Sequence, residues 1–179
     1  MQEREWILMA QKGDGDAFCA LIGKYENKIY NIAYKFMQNS FDAQDAAQDA
    51  IIKMYRSIRK FSFQSAFSTW MYRVVANTCL DALRARRPSV PMEEYSDAAV
   101  SREGNPDEQA ENSELGRGIR TAVEELSEKY RSVLVLKDME GLKYEEVAEI
   151  LSITPGTVKS RLFRAREKLR KILEEKQVI

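Results

Sequence analysis

The chain has 179 residues, with 28 Lys and Arg balanced by 28 Asp and Glu, and it contains no histidine. That absence excludes triads built on a histidine base, other His-dependent acid-base chemistry and His-rich zinc sites. Cys19 and Cys79 fit neither a CxxC metal pattern nor a disulfide framework, and no run approaches the ~20 apolar residues of a spanning helix, so a cytoplasmic protein without stable membrane insertion is expected.

The zero net charge is unevenly spread. Phe41 to Met92 is net basic, Glu93 to Glu128 carries eleven acids against Arg102, Arg117 and Arg120, and Lys129 to Ile179 returns to twelve bases against eight acids. The neutral total therefore hides two basic regions around an acidic one.

From the start to Met37, residues Phe18, Leu21, Ile22, Tyr25, Ile29, Ile32, Ala33 and Phe36 recur at helical spacing, with Asp14 or Asp16 as the capping carboxylate. A second helix is expected from near Asp42 to about Lys60, burying Ile51, Met54, Tyr55 and Ile58 and presenting Asp45, Gln48, Asp49, Lys53 and Arg56. A third runs from about Ser68 to Arg87, where Pro88 removes the next backbone donor. Residues 89–112 are rich in acids and proline without an apolar period, which predicts a flexible acidic linker between domains at 1–88 and 113–179.

Helical spacing resumes at Ile119, Val123 and Leu126. Ser127 is an N-cap candidate, Tyr130, Val133, Leu134 and Leu136 are apolar contacts, and Gly141 is a natural terminator. In YEEVAEIL, Val147, Ala148, Ile150 and Leu151 can face inward, and the small Ala148 lets a crossing helix approach closely. Thr154 and Pro155 then start another helix as N-cap and first residue, and Val158, Leu162, Ala165 and Leu169 form its packing face. No β-rich region or internal repeat is present. The expectation is an all-α protein of two small helical domains, the second containing a helix-turn-helix.

In such a unit the N-terminal part of the second helix enters the major groove. Thr157, Lys159, Ser160, Arg161 and Arg164 are therefore base-edge candidates, while Arg166, Lys168 and Arg170 suit phosphates or cover apolar surface with their stems. A single helix-turn-helix fits a repressor, an activator or an initiation factor. A basic helix is also compatible with a protein-interaction module. In the first domain, KFSFQSAFSTWMYRVVANTCLDALRARR interleaves aromatics with arginines, a composition that can stack unpaired bases. The same spacing suits a core, and Phe67, Trp70 and Met71 are assigned mainly to packing.

Four segments resemble the extracytoplasmic-function sigma factors of the sigma-70 family, in that family's order: GDGDAFCALIGKYENKIYNIAY, DAQDAAQDAIIKMYRSIRKF, FSTWMYRVVANTCLDALRARR and YRSVLVLKDMEGLKYEEVAEILSITPGTVKSRLFRAREKLR. The resemblance implies an RNA polymerase sigma factor, not an enzyme, with core RNA polymerase and promoter DNA as partners and no cofactor or metal. It places Asp45, Gln48, Asp49, Lys53 and Arg56 on the surface that docks on core polymerase. It places Phe63, Gln64, Ser65, Asn77, Asp81 and Arg84 at the −10 element, with the loop near Phe63 to Ser65 capturing an unpaired base. Thr157, Lys159, Ser160, Arg161, Arg164 and Arg166 fall at the −35 element. Such factors are often held by an anti-sigma protein, so the resemblance admits that partner without requiring it. Ser152 stands where the family usually has glycine, and modest strain is expected at that turn.

Overall fold

The computed structural model describes residues 2–86 and 113–179; the expected linker at 89–112 and the expected helix stop at Pro88 lie outside them. Among the described residues all regular structure is helical. The first unit contains α1 (Gln2–Gln11), α2 (Gly15–Gly23), α3 (Glu26–Met37), α4 (Ser40–Ser57) with a 3-10 turn at Ile58–Lys60, and α5 (Phe67–Ala85).

The stretch up to Met37 forms three helices, and the apolar stripe from Phe18 to Phe36 lies on the last two. Gly13 reverses the chain at φ +98, and the Asp14 carboxylate then accepts from the Ala17 amide at 2.9 Å to start α2. Gln38 ends α3 in the left-handed region, and the Asn39 side chain accepts from the Asp42 amide at 3.1 Å to start α4. The stripe keeps its period across the junction of α2 and α3 at Lys24 and Tyr25 because both helices bury it in the same core.

Ile29, Ile32, Ala33 and Phe36 of α3 are fully buried, facing a row of small residues on α4, Ala43, Ala46, Ala47 and Ala50. Methyl-sized contacts let these helices approach closely, and each large side chain so buried contributes about 1.5–3 kcal/mol. Tyr55 corrects an expectation. It is 50% exposed, with its ring edge-on to Phe18 at 5.0 Å, while Met54 and Ile58 take the core positions. At 100° per residue Tyr55 stands about 100° round α4 from Met54 and about 140° from Ala50, so its bulk mimicked a core residue while its angle puts it on the flank of the helix.

The second unit contains α6 (Glu114–Glu124), α7 (Glu128–Leu134) continuing into a π-helical turn at Val135–Met139, α8 (Tyr144–Leu151) and α9 (Pro155–Glu175). Gly141 at φ +70 ends the π turn as expected. Thr154 accepts from the Thr157 amide at 3.1 Å, and Pro155 is the first residue of α9. Val158, Leu162 and Ala165 are buried against α7 and α8. Ser152 adopts φ 54 and ψ 46, the left-handed geometry that glycine adopts without penalty.

The two units pack on each other, α5 lying against α7 and α8, and one hydrophobic cluster runs through both. The contact is also polar. The guanidinium of Arg131, only 7% exposed, donates to the Phe36 carbonyl at 3.0 Å and to the Glu124 and Leu126 carbonyls of its own unit. Glu140 accepts from Lys35 Nζ and from the Tyr72 hydroxyl, each at 2.7 Å. Two positions away, Asp138 points the opposite way and pairs with Arg166 of α9.

Candidate nucleic-acid interface

The outward face of α9 is set by what its inward face must do. With Val158, Leu162 and Ala165 buried, helical geometry turns Ser160, Phe163 and Arg164 to the opposite side, where all three are exposed. Arg161 is half-buried beside them, and neither Arg161 nor Arg164 is engaged by another described residue. Thr157 hydrogen-bonds through its hydroxyl to Thr154 at 2.8 Å, and Ser160 donates to the Thr157 carbonyl at 3.1 Å. Lys159 lies over the Tyr144 ring at 5.4 Å, on the rim of the face.

Arg166 is placed differently. Its guanidinium forms a two-pronged pair with Asp138, at 2.8 and 2.6 Å, bracing α9 on the π turn. The carboxylate raises its pKa, chiefly through the hydrogen bond. Phe163 is the residue that sequence reasoning passed over; at 68% exposure it is the most exposed phenylalanine among the described residues. Its signal was its angle, about 130° round the helix from the middle of the seam of Val158, Leu162 and Ala165.

The second cluster surrounds the turn after α4. Phe61, Phe67 and Trp70 pack with ring centroids 5.5–5.9 Å apart, and Phe61 and Phe67 are buried. Phe63 meets Phe61 at a tilt with ring centroids 4.9 Å apart, is 38% exposed, and adopts φ 58. A non-glycine residue in that region stores on the order of 1–3 kcal/mol, which the packing of its ring must offset. Gln64 is exposed and Ser65 half-buried. On α5, Asn77 and Asp81 are exposed, and Asp81 lies 3.5 Å from Lys53 and 3.6 Å from Arg84. Arg84 also donates to Glu128 of α7 at 2.8 Å, and Arg73 to Glu149 of α8 at 2.9 Å. Two arginines of the aromatic and basic segment are thus engaged by acids of the second unit.

On α4, Asp45, Gln48, Asp49, Lys53 and Arg56 are all exposed on the side away from the alanine row. Between them the structure adds an apolar stripe of Phe41, Ile52 and Tyr55, exposed by 63, 47 and 50%. Acids and a glutamine around exposed large apolar side chains make a surface suited to a protein partner, and the lone hydrophobes gain meaning from lying in a row.

These elements define a helical protein with a helix-turn-helix, a separate aromatic and basic surface and a helix that exposes large apolar side chains among charged ones. Residues 21–88 match Sigma-70 region 2, and residues 117–169 match Sigma-70, region 4. The sequence is 37% identical to the ECF RNA polymerase sigma factor SigW of Bacillus subtilis, over 98% of each chain. It is 36% identical to the RNA polymerase sigma-H factor of Pseudomonas aeruginosa, over 97% of this chain and 94% of that one. It is likewise 36% identical to the ECF RNA polymerase sigma-E factor of Escherichia coli strain K12, over 88% and 86%. The fold is similar to that of CnrH, solved in complex with the cytosolic domain of CnrY, with a TM-score of 0.70, 22% identity and coverage of 98% and 99%. The chain belongs to the extracytoplasmic-function sigma factors of the sigma-70 family.

Proposed function

We propose that this sigma factor docks on core RNA polymerase through the exposed face of α4, reads and holds the opened −10 element with the Phe63–Ser65 loop and α5, and reads the −35 element with the outward face of α9. The observation that carries the reading is the pairing, within one chain, of a capped helix-turn-helix whose Ser160, Phe163 and Arg164 are exposed with an aromatic and basic cluster in a separate unit. Arg161 and Arg164 suit guanine edges, and Phe163 suits the thymine methyl. The bidentate pair with Asp138 suits Arg166 to positioning α9, with phosphate contact secondary. Domain boundaries at 1–88 and 113–179 belong to this reading.

The chain supplies recognition and the polymerase supplies nucleotide addition, so no catalytic group or cofactor is assigned, and the place of work is the cytoplasm, where polymerase acts on DNA. An anti-sigma protein is a further partner of the kind that accompanies RpoE of Bartonella quintana, which was solved with the anti-sigma factor NepR.

Geometry adds a requirement. Elements about 25 base pairs apart are about 85 Å apart along B-DNA. A compact 179-residue chain has a radius of gyration of about 16 Å. The packed arrangement cannot span that distance, so promoter binding requires α5 to separate from α7 and α8.

The test is transcription reconstituted with purified core polymerase on genomic DNA fragments. Promoter-specific initiation that depends on adding this protein is the expected outcome. Sequence-specific binding of the isolated protein to duplex, with no added initiation, would instead mark a conventional repressor or activator.

A further inference from the structure

The proposed roles leave α1 unused, yet it is fastened to the base-capturing loop. Gln11 near its C-terminal end donates to two carbonyls that bracket the loop's entry, Ile58 at 3.0 Å and Phe61 at 2.7 Å. These backbone acceptors stand at the first residue of the 3-10 turn and just past its last, so the side chain fixes the turn by which the chain leaves α4. Near the other end, the Arg4 guanidinium lies over the Phe63 ring with its central carbon 5.2 Å from the centroid. Phe63 is the strained residue, held at φ 58, with the other contact of its ring made by Phe61. Backbone strain beside a half-exposed aromatic is a feature of ligand clamps.

Resting on the −10 reading above, the geometry points to α1 as part of the single-strand site. Arg4 binds the backbone phosphate next to the unpaired base that stacks on Phe63, and Gln11 positions the loop that presents the ring. The charge around this point is consistent. Arg59 and Lys60, on the 3-10 turn that Gln11 fastens, are exposed. Of the two acids that flank Arg4, Glu3 is held by Lys24 and Tyr25, each at 2.7 Å, which offsets its charge locally, and Glu5 is exposed to solvent. Single-strand sites combine aromatic platforms with arginine cations, and a base arriving on Phe63 would displace the guanidinium from the ring face to the neighbouring phosphate.

The test uses holoenzyme assembled from core polymerase and the full chain. The probe is a fluorescein-labelled single strand carrying the non-template −10 segment of a promoter that the wild-type holoenzyme selects from genomic fragments. Arg4→Ala should weaken binding several-fold at 0.1 M salt and lower the slope of log affinity against log salt by about 0.7, the value of one phosphate on a single strand. Arg4→Lys should restore the slope. Phe63→Ala should weaken binding with the slope unchanged, because the ring carries no charge. Gln11→Leu should weaken binding to the strand while the slope stays at the wild-type value. An Arg4→Ala holoenzyme with wild-type affinity and slope would overturn the role of α1, and leave the −10 reading intact where Phe63→Ala still weakens binding. If wild-type holoenzyme binds the selected strand no better than its scrambled sequence, the −10 reading falls and this inference with it.

Discussion

Arg131 Nη1 donates to the carbonyl of Phe36 at 3.0 Å, so the buried cation of one unit completes a helix end in the other. Phe36 lies in the last turn of α3, where carbonyls have no intrahelical donor. The arrangement is costly for Arg131, since burial pushes its pKa down, opposed by Glu124 and Glu128, and its Nε has no partner. Replacing it with leucine orphans three carbonyls, at about 1–3 kcal/mol for each group left unsatisfied, so Arg131→Leu should lower the urea midpoint of the whole chain.

Glu140 is the more selective handle on the packed arrangement. Its side chain is 8% exposed and receives Lys35 and Tyr72 from the first unit. Glu140→Gln keeps the shape and removes the charge, weakening both bonds by roughly 1–3 kcal/mol in total. In small-angle scattering the variant should show a larger radius of gyration than wild type, and the far-ultraviolet dichroism of the two should coincide. An unchanged radius would mean that the apolar contact between α5 and α8 holds the units together without this pair.

The helix-turn-helix carries a strained turn and a capped start that separate by mutation. Ser152→Gly should raise stability by about 1 kcal/mol, since glycine adopts φ 54 without the penalty of a Cβ. Thr154→Ala should lower it by about 1 kcal/mol through loss of the bond from the Thr157 amide. Arg161→Glu should leave the melting profile within about 0.5 kcal/mol of wild type and reduce −35 duplex binding at matched salt. Equal affinity would remove Arg161 from the reading face.

Alkaline pH should weaken the fold in two stages. Burial pushes the Cys79 thiol up to about 12, and burial with the hydrogen bond to Glu3 pushes Tyr25 up to about 12. Burial and then the bond to Glu140 raise Tyr72 further still. Each group is protonated in the folded chain at pH values where the unfolded chain has lost its proton. The stabilisation is therefore complete below the unfolded pKa, about 8.5 for the thiol and about 10 for the phenols, and is lost as pH rises through the folded values. Urea midpoints should be level to about pH 8 and then fall. Tyr72→Phe should flatten only the part above about pH 10.

The face of α4 should separate docking from stability. Ile52 is 47% exposed, so Ile52→Glu should change stability by less than about 0.5 kcal/mol while reducing core polymerase affinity at least ~10-fold. Ala50 is fully buried two residues earlier, and Ala50→Leu should instead cost about 1–3 kcal/mol by overpacking. Competition for core polymerase by fluorescence anisotropy, alongside urea melts, checks both.

Local chemistry made much of this protein legible from its residues alone. Thr154, Pro155 and Gly141 act through bonds and dihedrals within a few positions, and Val158, Leu162 and Ala165 repeat at a period that only a helix seam satisfies. The helix-turn-helix, its outward arginines and the polar face of α4 follow from those facts. Tertiary structure alone decided what depends on distant partners. Tyr55 has the bulk of a core residue and lies half-exposed on α4 because the helix turns its alanines inward. Arg166 has the charge of a phosphate contact and also pairs with Asp138, 28 positions away. Arg4 meets Phe63 and Arg131 meets Phe36 across separations that no periodicity encodes. A side chain's angle on its own helix is a local property of the sequence, whereas the element it meets is a property of the packed whole.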